Sequence, residues 1–481
     1  MGDLHRREFL AGIGAVCAIQ PFECIGATFA MRGAAFAEAA AAGVLPEFYG
    51  PYLEDVAKRV AAAAAKGAKN GFTFFTDPHI AANYGRSGYM IADLVKRTGF
   101  KRVVCGGDWP TAFCHKIPPK KFVEGICAKM KVQWRDPIQA AGGLYFGAKG
   151  NHDMCVFDNW SKSNDFCYAS AKTREIMMDT NERANIVANP DEKSGMYYYR
   201  DDVEQKVRYI VADTSDGVCE EDTPGKGGYG NFMRSDQLRW LGEVALRTVP
   251  AGYAVIVVHH IPITPFTGSI GDAKTFTEFR LVLEAYQNKS HIATHVGKFD
   301  FSSRKGDDIL FDLAGHTHSN QFTFLNGILH ISNLCDAYYH DPVPRTPFSG
   351  VMFKAIKLRK NTPAEQGFDI FNFGAGMVRT TAVGIGQDRV FRLKPVSLKA
   401  GEKLRLACNE FADVQWRGFD SWDAKEDRNE NDPEKHWTFS HEIAEVSSDG
   451  IVTAKKPGWV TVVAMAPDLR KEIVGIEVKA V

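Results

Sequence analysis

The chain has no surplus of charge of either sign: 58 Lys and Arg offset 58 Asp and Glu across 481 residues. Recognition of nucleic acid depends on a basic surface that neutralises phosphates, and no such surface is evident in this balance. No two of the ten cysteines are spaced Cys-x-x-Cys, which removes zinc-knuckle and thioredoxin-type chemistry. Beyond the N-terminus no run of 18 apolar residues occurs, so no membrane-spanning helix is predicted there. A Gly-x-Ser-x-Gly elbow for a serine nucleophile is missing as well. Apolar material, in contrast, is plentiful. With 45% hydrophobic and 11% aromatic residues the chain can build sizeable cores, and wholesale disorder is excluded. At roughly 150 residues per domain, the length predicts two or three folded units.

Paired arginines in His5-Arg6-Arg7-Glu8-Phe9-Leu10 stand directly before an apolar run from Phe9 to Ile19. That run is too short for a ~30 Å hydrocarbon core. A basic start, a short apolar stretch and the small residues of Ala35-Phe36-Ala37 read as an export signal over residues 1–37. The bland alternative is an amphipathic first helix. The Arg-Arg-Glu-Phe-Leu run resembles the bacterial twin-arginine signal, a receptor-read address. It implies the twin-arginine export machinery as a partner and a periplasmic or extracellular destination. A lipid anchor on Cys17 is disfavoured, because Val16 occupies a position that should be small. In an exported chain some cysteines pair, and Cys155 with Cys167 is a candidate pair past the signal. Cys105, within an apolar strand, reads as a small buried hydrophobe.

Hydrophobic periodicity predicts a helix over 46–66, then alternating strands and helices. Strands are expected at Phe72–Thr76, Arg102–Cys105, Leu144–Ala148, Tyr253–Val258, Ile309–Leu313 and Ile328–Ser332, with helices at 88–98 and 119–133. Tyr197–Tyr199 and Val207–Ala212 read as a hairpin, its tyrosines as packing residues. Ser235 opens a helix carrying Leu238, Leu241 and Ala245 on one face. Mixed β/α followed by mostly β is the pattern of an α/β sandwich. From about 395 the texture becomes short strands and turns, interrupted by a charged run from Asp423 to His436 that reads as a solvated loop. Lys399-Ala400-Gly401-Glu402 and Gly458-Trp459-Val460-Thr461-Val462-Val463-Ala464 resemble bacterial Ig-like domains of the group 2 type, which implies a small all-β sandwich over 395–481. Such a domain suits cell-surface or polysaccharide contact. Cutting near 395 is then expected to spare the upstream activity.

Five short blocks hold most of the informative polar residues, each where a predicted strand ends: Thr76-Asp77-Pro78-His79, Gly106-Gly107-Asp108, Gly150-Asn151-His152-Asp153, His259-His260-Ile261-Pro262 and Gly315-His316-Thr317-His318. Sites in α/β sheets gather outside the carboxyl ends of strands, so these blocks can converge. Carboxylate, amide and imidazole together suit first-row transition metals rather than calcium or thiolate-bound zinc. In Asp-x-His on an extended segment, alternate side chains share one face and reach one ion. Asn83, Arg86 and Ser87 follow the first block and are either phosphate contacts or a helix start. His291 and His295 read as loop residues, with a substrate-lining role as the alternative.

In these blocks the chain resembles the calcineurin-like metallophosphoesterases over about 70–390, within a domain set at 46–390. The resemblance implies a two-sheet β-sandwich core flanked by helices and two metal ions, divalent or of mixed valence (Mn, Fe or Zn). It implies that Asp77, His79 and His318 hold one ion, that Asn151, His260 and His316 hold the other, and that Asp108 bridges both. His152 would face a small phosphorylated substrate, with Asp153 orienting its ring. The activity implied is hydrolysis of phosphate monoesters or diesters by hydroxide generated at the two ions. Thr111 stands where purple members of the family have a metal-bound Tyr, so a tyrosinate-coloured ferric site is not expected. The family's His-x-Pro register favours His260 over His259, which then belongs to the core. The rival class is a cell-surface binding protein on the same scaffold without turnover; the complete ligand set speaks against it. A third reading, hydrolysis of a non-phosphate ester or amide, shares the same site.

Overall fold

Along Asn70–Phe75 the side chains alternate, so Phe72 and Phe74 enter one core while Phe75 turns to the opposite face against Trp109 and Tyr145. The computed structural model describes residues 45, 49–79, 87–109, 119–153, 155–156, 166–167, 185–190, 196–217, 223–224, 232–264, 273–318, 320–336, 340–344, 351–355, 367–384, 386–421 and 441–481. The signal over 1–37, Asn83, Arg86, Thr111 and the charged run 423–436 lie outside the described residues. Everything below belongs to one compact unit, Glu47–Val481.

Two sheets form the body, in a mixed α/β arrangement with few helices. One has nine strands in the order Gln415–Asp420, Gly458–Met465, Lys471–Lys479, Arg389–Lys399, Met377–Gly384, Gly367–Gly374, Asn70–Phe75, Arg102–Cys105 and Leu144–Gly147. The other has seven: Gln321–Leu325, Ile328–Ser332, Ile309–Ala314, Ala254–Val258, Val207–Val211, Tyr198–Asp202 and Ile186–Ala188. Between them lies an apolar core in which Phe72 stacks on Phe371 at 5.1 Å and Phe311 on Phe371 at 5.6 Å. Asn70–Phe75, Arg102–Cys105 and Leu144–Gly147 run parallel, as do Val207–Val211, Ala254–Val258, Ile309–Ala314 and Ile328–Ser332. Parallel strands end on the same side. The loops after them therefore meet at one edge of the sandwich.

Helices cover the outside. Tyr49–Ala65 buries Tyr49, Leu53, Val56, Val60 and Ala63, a spacing of three and four residues that makes a single stripe. Ala273–Gln287 places Phe276, Phe279, Val282, Leu283 and Tyr286 in a second core on the outer face of the seven-stranded sheet. The helix expected at 119–133 passes through a wider π stretch, Lys131–Arg135, and continues to Ala140, and the helix from Ser235 ends in another, Leu241–Leu246. Cys155 and Cys167 are register partners in a short antiparallel pair.

The C-terminal region differs from the detachable module expected of it. Residue 395 falls inside the strand Arg389–Lys399, which pairs with Met377–Gly384 on one side and, in parallel, with Lys471–Lys479 on the other. The texture change marks a bulge between Arg392 and Val396, not a linker. Downstream residues do form a small core of their own, including Leu398, Trp416, Val452, Val462 and Ile476. Phe419, Val463, Met465 and Ile473 nevertheless belong to the main core. Thr461 Oγ1 accepts the backbone N–H of Phe324 at 2.8 Å, tying the tail to the edge strand of the seven-stranded sheet. The tail completes the sandwich.

Candidate metal centre

The five blocks end at one edge of the sandwich, and their backbones are turned sharply inward. Asp77, His79, Asp108, His316 and His318 all have positive φ, between 41° and 66°. Left-handed backbone is costly for residues with a Cβ and persists where the surroundings over-determine it, commonly at functional sites. Two glycines make room. A Cβ on Gly150 would lie 2.1 Å from Asp108 Oδ1, and one on Gly315 would lie 2.0 Å from Thr76 Oγ1. No side chain fits at either place.

Each carboxylate spends one oxygen on the scaffold and turns the other toward imidazoles. Asp77 Oδ2 accepts the Thr76 hydroxyl at 2.6 Å and the His316 N–H at 3.0 Å, while Oδ1 lies 3.0 Å from His318 Nε2, 3.8 Å from His79 Nε2 and 4.0 Å from His260 Nε2. Asp108 Oδ1 accepts the His152 N–H at 2.8 Å, and Oδ2 lies 3.1 Å from His260 Nε2 and 3.6 Å from His152 Nε2. Asn151 Oδ1 stands 2.9 Å from His260 Nε2 and 3.0 Å from His316 Nδ1. His260 Nδ1 donates to the Gly106 carbonyl at 2.7 Å, which fixes the ring and leaves Nε2 toward the site. Asp153 accepts N–H groups from Gly150 (2.6 Å), Asp108 (2.9 Å) and Trp109 (2.7 Å). In these contacts it clamps the backbones of two blocks.

Charge follows from this packing. Burial alone would raise Asp77 and Asp108, but His318 and His260 beside Asp77, and His260 and His152 beside Asp108, hold both well below the usual carboxylate range. Burial opposes a charge on His260 too, yet Asp108 and Asp77 overcome it and push the ring up to about 10. Burial and cationic neighbours depress His79 to about 4 and His316 to about 3. His152 is lowered by burial, and Asp153 is raised to about 7 by burial and by the Asp108 charge. Two ionised carboxylates thus lie among rings of which His79, His316 and His152 are held neutral. Such a donor set is short of positive charge, and divalent cations match it.

Among the described residues, two groups of three bring their ligand atoms within 4.8 Å of one another: Asp77, His79 and His318, and Asp108, His260 and His316. Asn151 joins the second through its amide oxygen. His259, next to His260, turns to the opposite face of the sheet and reaches Asp312 at 2.7 Å. Ser87 is buried and donates to Asp336 Oδ1 at 2.7 Å, so its hydroxyl is engaged inside the fold. Tyr198 pins Gly147 through its hydroxyl, which accepts the Gly147 N–H at 3.0 Å and donates to its carbonyl at 2.9 Å. His295 sits in a surface hairpin turn, 2.8 Å from Ser235 Oγ and in contact with Glu278. Thr76 holds Asp77 from within its own block, while Lys149 and Asp213, an ion pair beside the site, belong to none of the five blocks. A lone lysine closing an apolar strand, as in Leu144–Lys149, was the available signal.

No family model matches the chain, and no curated protein matches it. Among solved structures, a dimetal phosphatase from Danio rerio is similar at 13% identity and a TM-score of 0.43, covering 67% of this chain and 98% of its own. An anchor of the inner membrane complex of Plasmodium is similar at 11% identity and a TM-score of 0.35, covering 65% and 83%. Phosphopantetheinyl hydrolase from Mycobacterium tuberculosis follows at 14% identity and a TM-score of 0.26, covering 62% and 99%. The reading of the centre rests on its own geometry.

Proposed function

We propose that this chain is a metal-dependent phosphoesterase of the calcineurin-like kind, exported through a twin-arginine signal. The observation that carries the reading is the pair of neighbouring ligand groups, each within 4.8 Å, that share one edge of the sandwich. Asp77, His79 and His318 would hold one ion, Asn151, His260 and His316 the other, and Asp108 would serve both. Two bound ions would supply Lewis acidity for the phosphoryl oxygens and an activated water. The chain's own residues do the rest. Asp77 and Asp108 turn one oxygen each into the site, held by Thr76, His316 N–H and His152 N–H. His152 keeps part of its side chain, 17%, open to solvent at the rim, where a substrate arrives. Its Nε2 is the group placed to hold a phosphoryl oxygen or hand a proton to the leaving oxygen. The C-terminal strands, which complete the sandwich rather than form a separate module, are proposed to contact cell surface or polysaccharide.

The test is turnover of aryl phosphate monoesters and diesters by the protein loaded in turn with Mn, Fe and Zn. Metal-dependent release of phenol supports the reading. A folded, metal-loaded protein inert toward both classes sinks it in favour of the binding-protein alternative. His152→Ala should keep its metal and lose roughly 10²–10⁴-fold in rate, less for aryl than for alkyl leaving groups.

A further inference from the structure

Lys149 and Asp213 are fully buried, and Lys149 Nζ lies 2.6 Å from Asp213 Oδ2. The pair joins the two sheets at the site edge. Lys149 follows the end strand Leu144–Gly147 of the nine-stranded sheet and stands two residues before Asn151. Asp213 follows Val207–Val211 in the seven-stranded sheet, the neighbour of the strand that leads into His260. The turn beginning at Asp213 reaches His260's own loop as well, because Thr214 Oγ1 accepts the N–H of Ile261 at 2.9 Å.

This turn is itself tightly held. Asp213 Oδ1 accepts the Ser215 N–H at 2.9 Å, and Gln237 bonds both its backbone N–H and its carbonyl at 2.8 Å. Gln237 also donates to Asp216 Oδ2 at 2.9 Å, and Arg234 forks onto Asp216 Oδ1. A rigid turn that offers no ligand therefore touches two of the loops that carry the second ligand group, that of Asn151 through an ion pair and that of His260 through a hydroxyl. Buried ion pairs are a poor route to stability, and their best-attested use is to fix register.

Resting on the two-ion reading above, we infer that Lys149 and Asp213 are positioning residues that set the spacing between Asn151 and His260, and so tune the second ion's affinity without touching it. The first group, Asp77, His79 and His318, is held by Thr76 and lies outside this linkage.

The test is a calorimetric titration of the metal-free full chain with Mn²⁺, comparing the wild type with Lys149→Met and with Lys149→Met/Asp213→Asn. The single change strands a buried carboxylate and lowers Tm. The double change removes both charges, keeps an acceptor for Ser215 N–H, and should regain most of that Tm. In both variants one of the two binding steps should weaken about tenfold or more, the scale of outer-shell partners of metal ligands, with the other step unchanged. Wild-type affinity in either variant, or an equal loss of both steps such as general unfolding gives, overturns the inference. A wild type that takes up no metal would instead overturn the functional reading, so the two failures are distinguishable.

Discussion

Two histidine–aspartate clusters lie close along this chain, and they share almost the same ingredients. In one, Asp77 and Asp108 face His79, His260, His316 and His318. In the other, Asp312 lies between His259 and His330, with Oδ1 2.7 Å from His259 Nε2 and Oδ2 2.8 Å from His330 Nδ1. His259 and His260 are consecutive, yet they belong to different clusters because neighbours on a strand point to opposite faces. Asp312 and His330 sit within paired strands at directly opposed positions, and all three residues of that cluster are buried. Each oxygen of Asp312 faces a different imidazole within the sheet, and among the described residues the three do not bring their ligand atoms together as a metal-holding group. The ligand clusters sit instead on left-handed loops past the strand ends, where each carboxylate keeps one oxygen turned inward. Composition is thus a weak guide to chemistry. What separates a metal centre from a structural polar row is the direction in which the second oxygen points.

Four experiments probe that contrast. The largest effect is expected from Asp108→Ala, which should abolish uptake of the second ion and all turnover, read by metal analysis beside a hydrolysis assay. Asp312→Ala should do the reverse. It leaves two buried imidazoles without their acceptor, so stability to urea should fall by about 3–5 kcal/mol while metal content per folded chain holds. If Asp312→Ala empties the site instead, the two clusters are one functional unit.

The pH responses should differ in range and in what they affect. Asp312 is depressed below its ordinary value, because the contacts with His259 and His330 outweigh burial. The stability it contributes is therefore present above the usual carboxylate range and fades as pH falls through its lowered value, visible as a Tm gap between wild type and Asp312→Asn that closes in acid. His260 is raised to about 10, so a metal must displace its proton at neutral pH. Metal affinity should climb with pH up to that value, by at most about tenfold per unit, and titrations in buffers of different ionisation heat should register the released proton. His79 and His316, held near 4 and 3, are already neutral and add no such competition.

The smallest effect is assigned to Thr76→Val, which keeps the shape and removes the hydrogen bond to Asp77 Oδ2. Loss of about tenfold in first-ion affinity is expected, with Thr76→Ser restoring it. Equal affinities across the series would show that His316 N–H alone orients Asp77.

Much of the site was visible in the sequence because strand ends and ligand types coincide there. Blocks such as Gly-Asn-His-Asp after Leu144–Ala148 need only period-two alternation and a turn to be placed. The same alternation sets His259 and His260 on opposite faces, while the choice of His260 as the ligand comes from the His-x-Pro register of the family resembled. What supports the ligands was less visible. Lys149 and Asp213 are 64 positions apart, and neither belongs to a patterned block. The C-terminal junction misled for a similar reason. Local texture does change near 395, but the strand there finds its partner about 80 residues downstream, at Lys471–Lys479, and no local pattern announces such a pairing. Cutting at 395 would remove the parallel partner of Arg389–Lys399 and the residues Phe419, Val463 and Ile473 from the main core.

The central claim, that the strand-end cluster is a two-ion centre and the Asp312 cluster is not, is tested most directly by one titration. Metal-free wild type, Asp108→Ala and Asp312→Asn are each titrated calorimetrically with Mn²⁺ at neutral pH. Two ions per chain are expected for the wild type and for Asp312→Asn, and at most one for Asp108→Ala. A wild type that binds none, or an Asp108→Ala variant that still binds two, would contradict it.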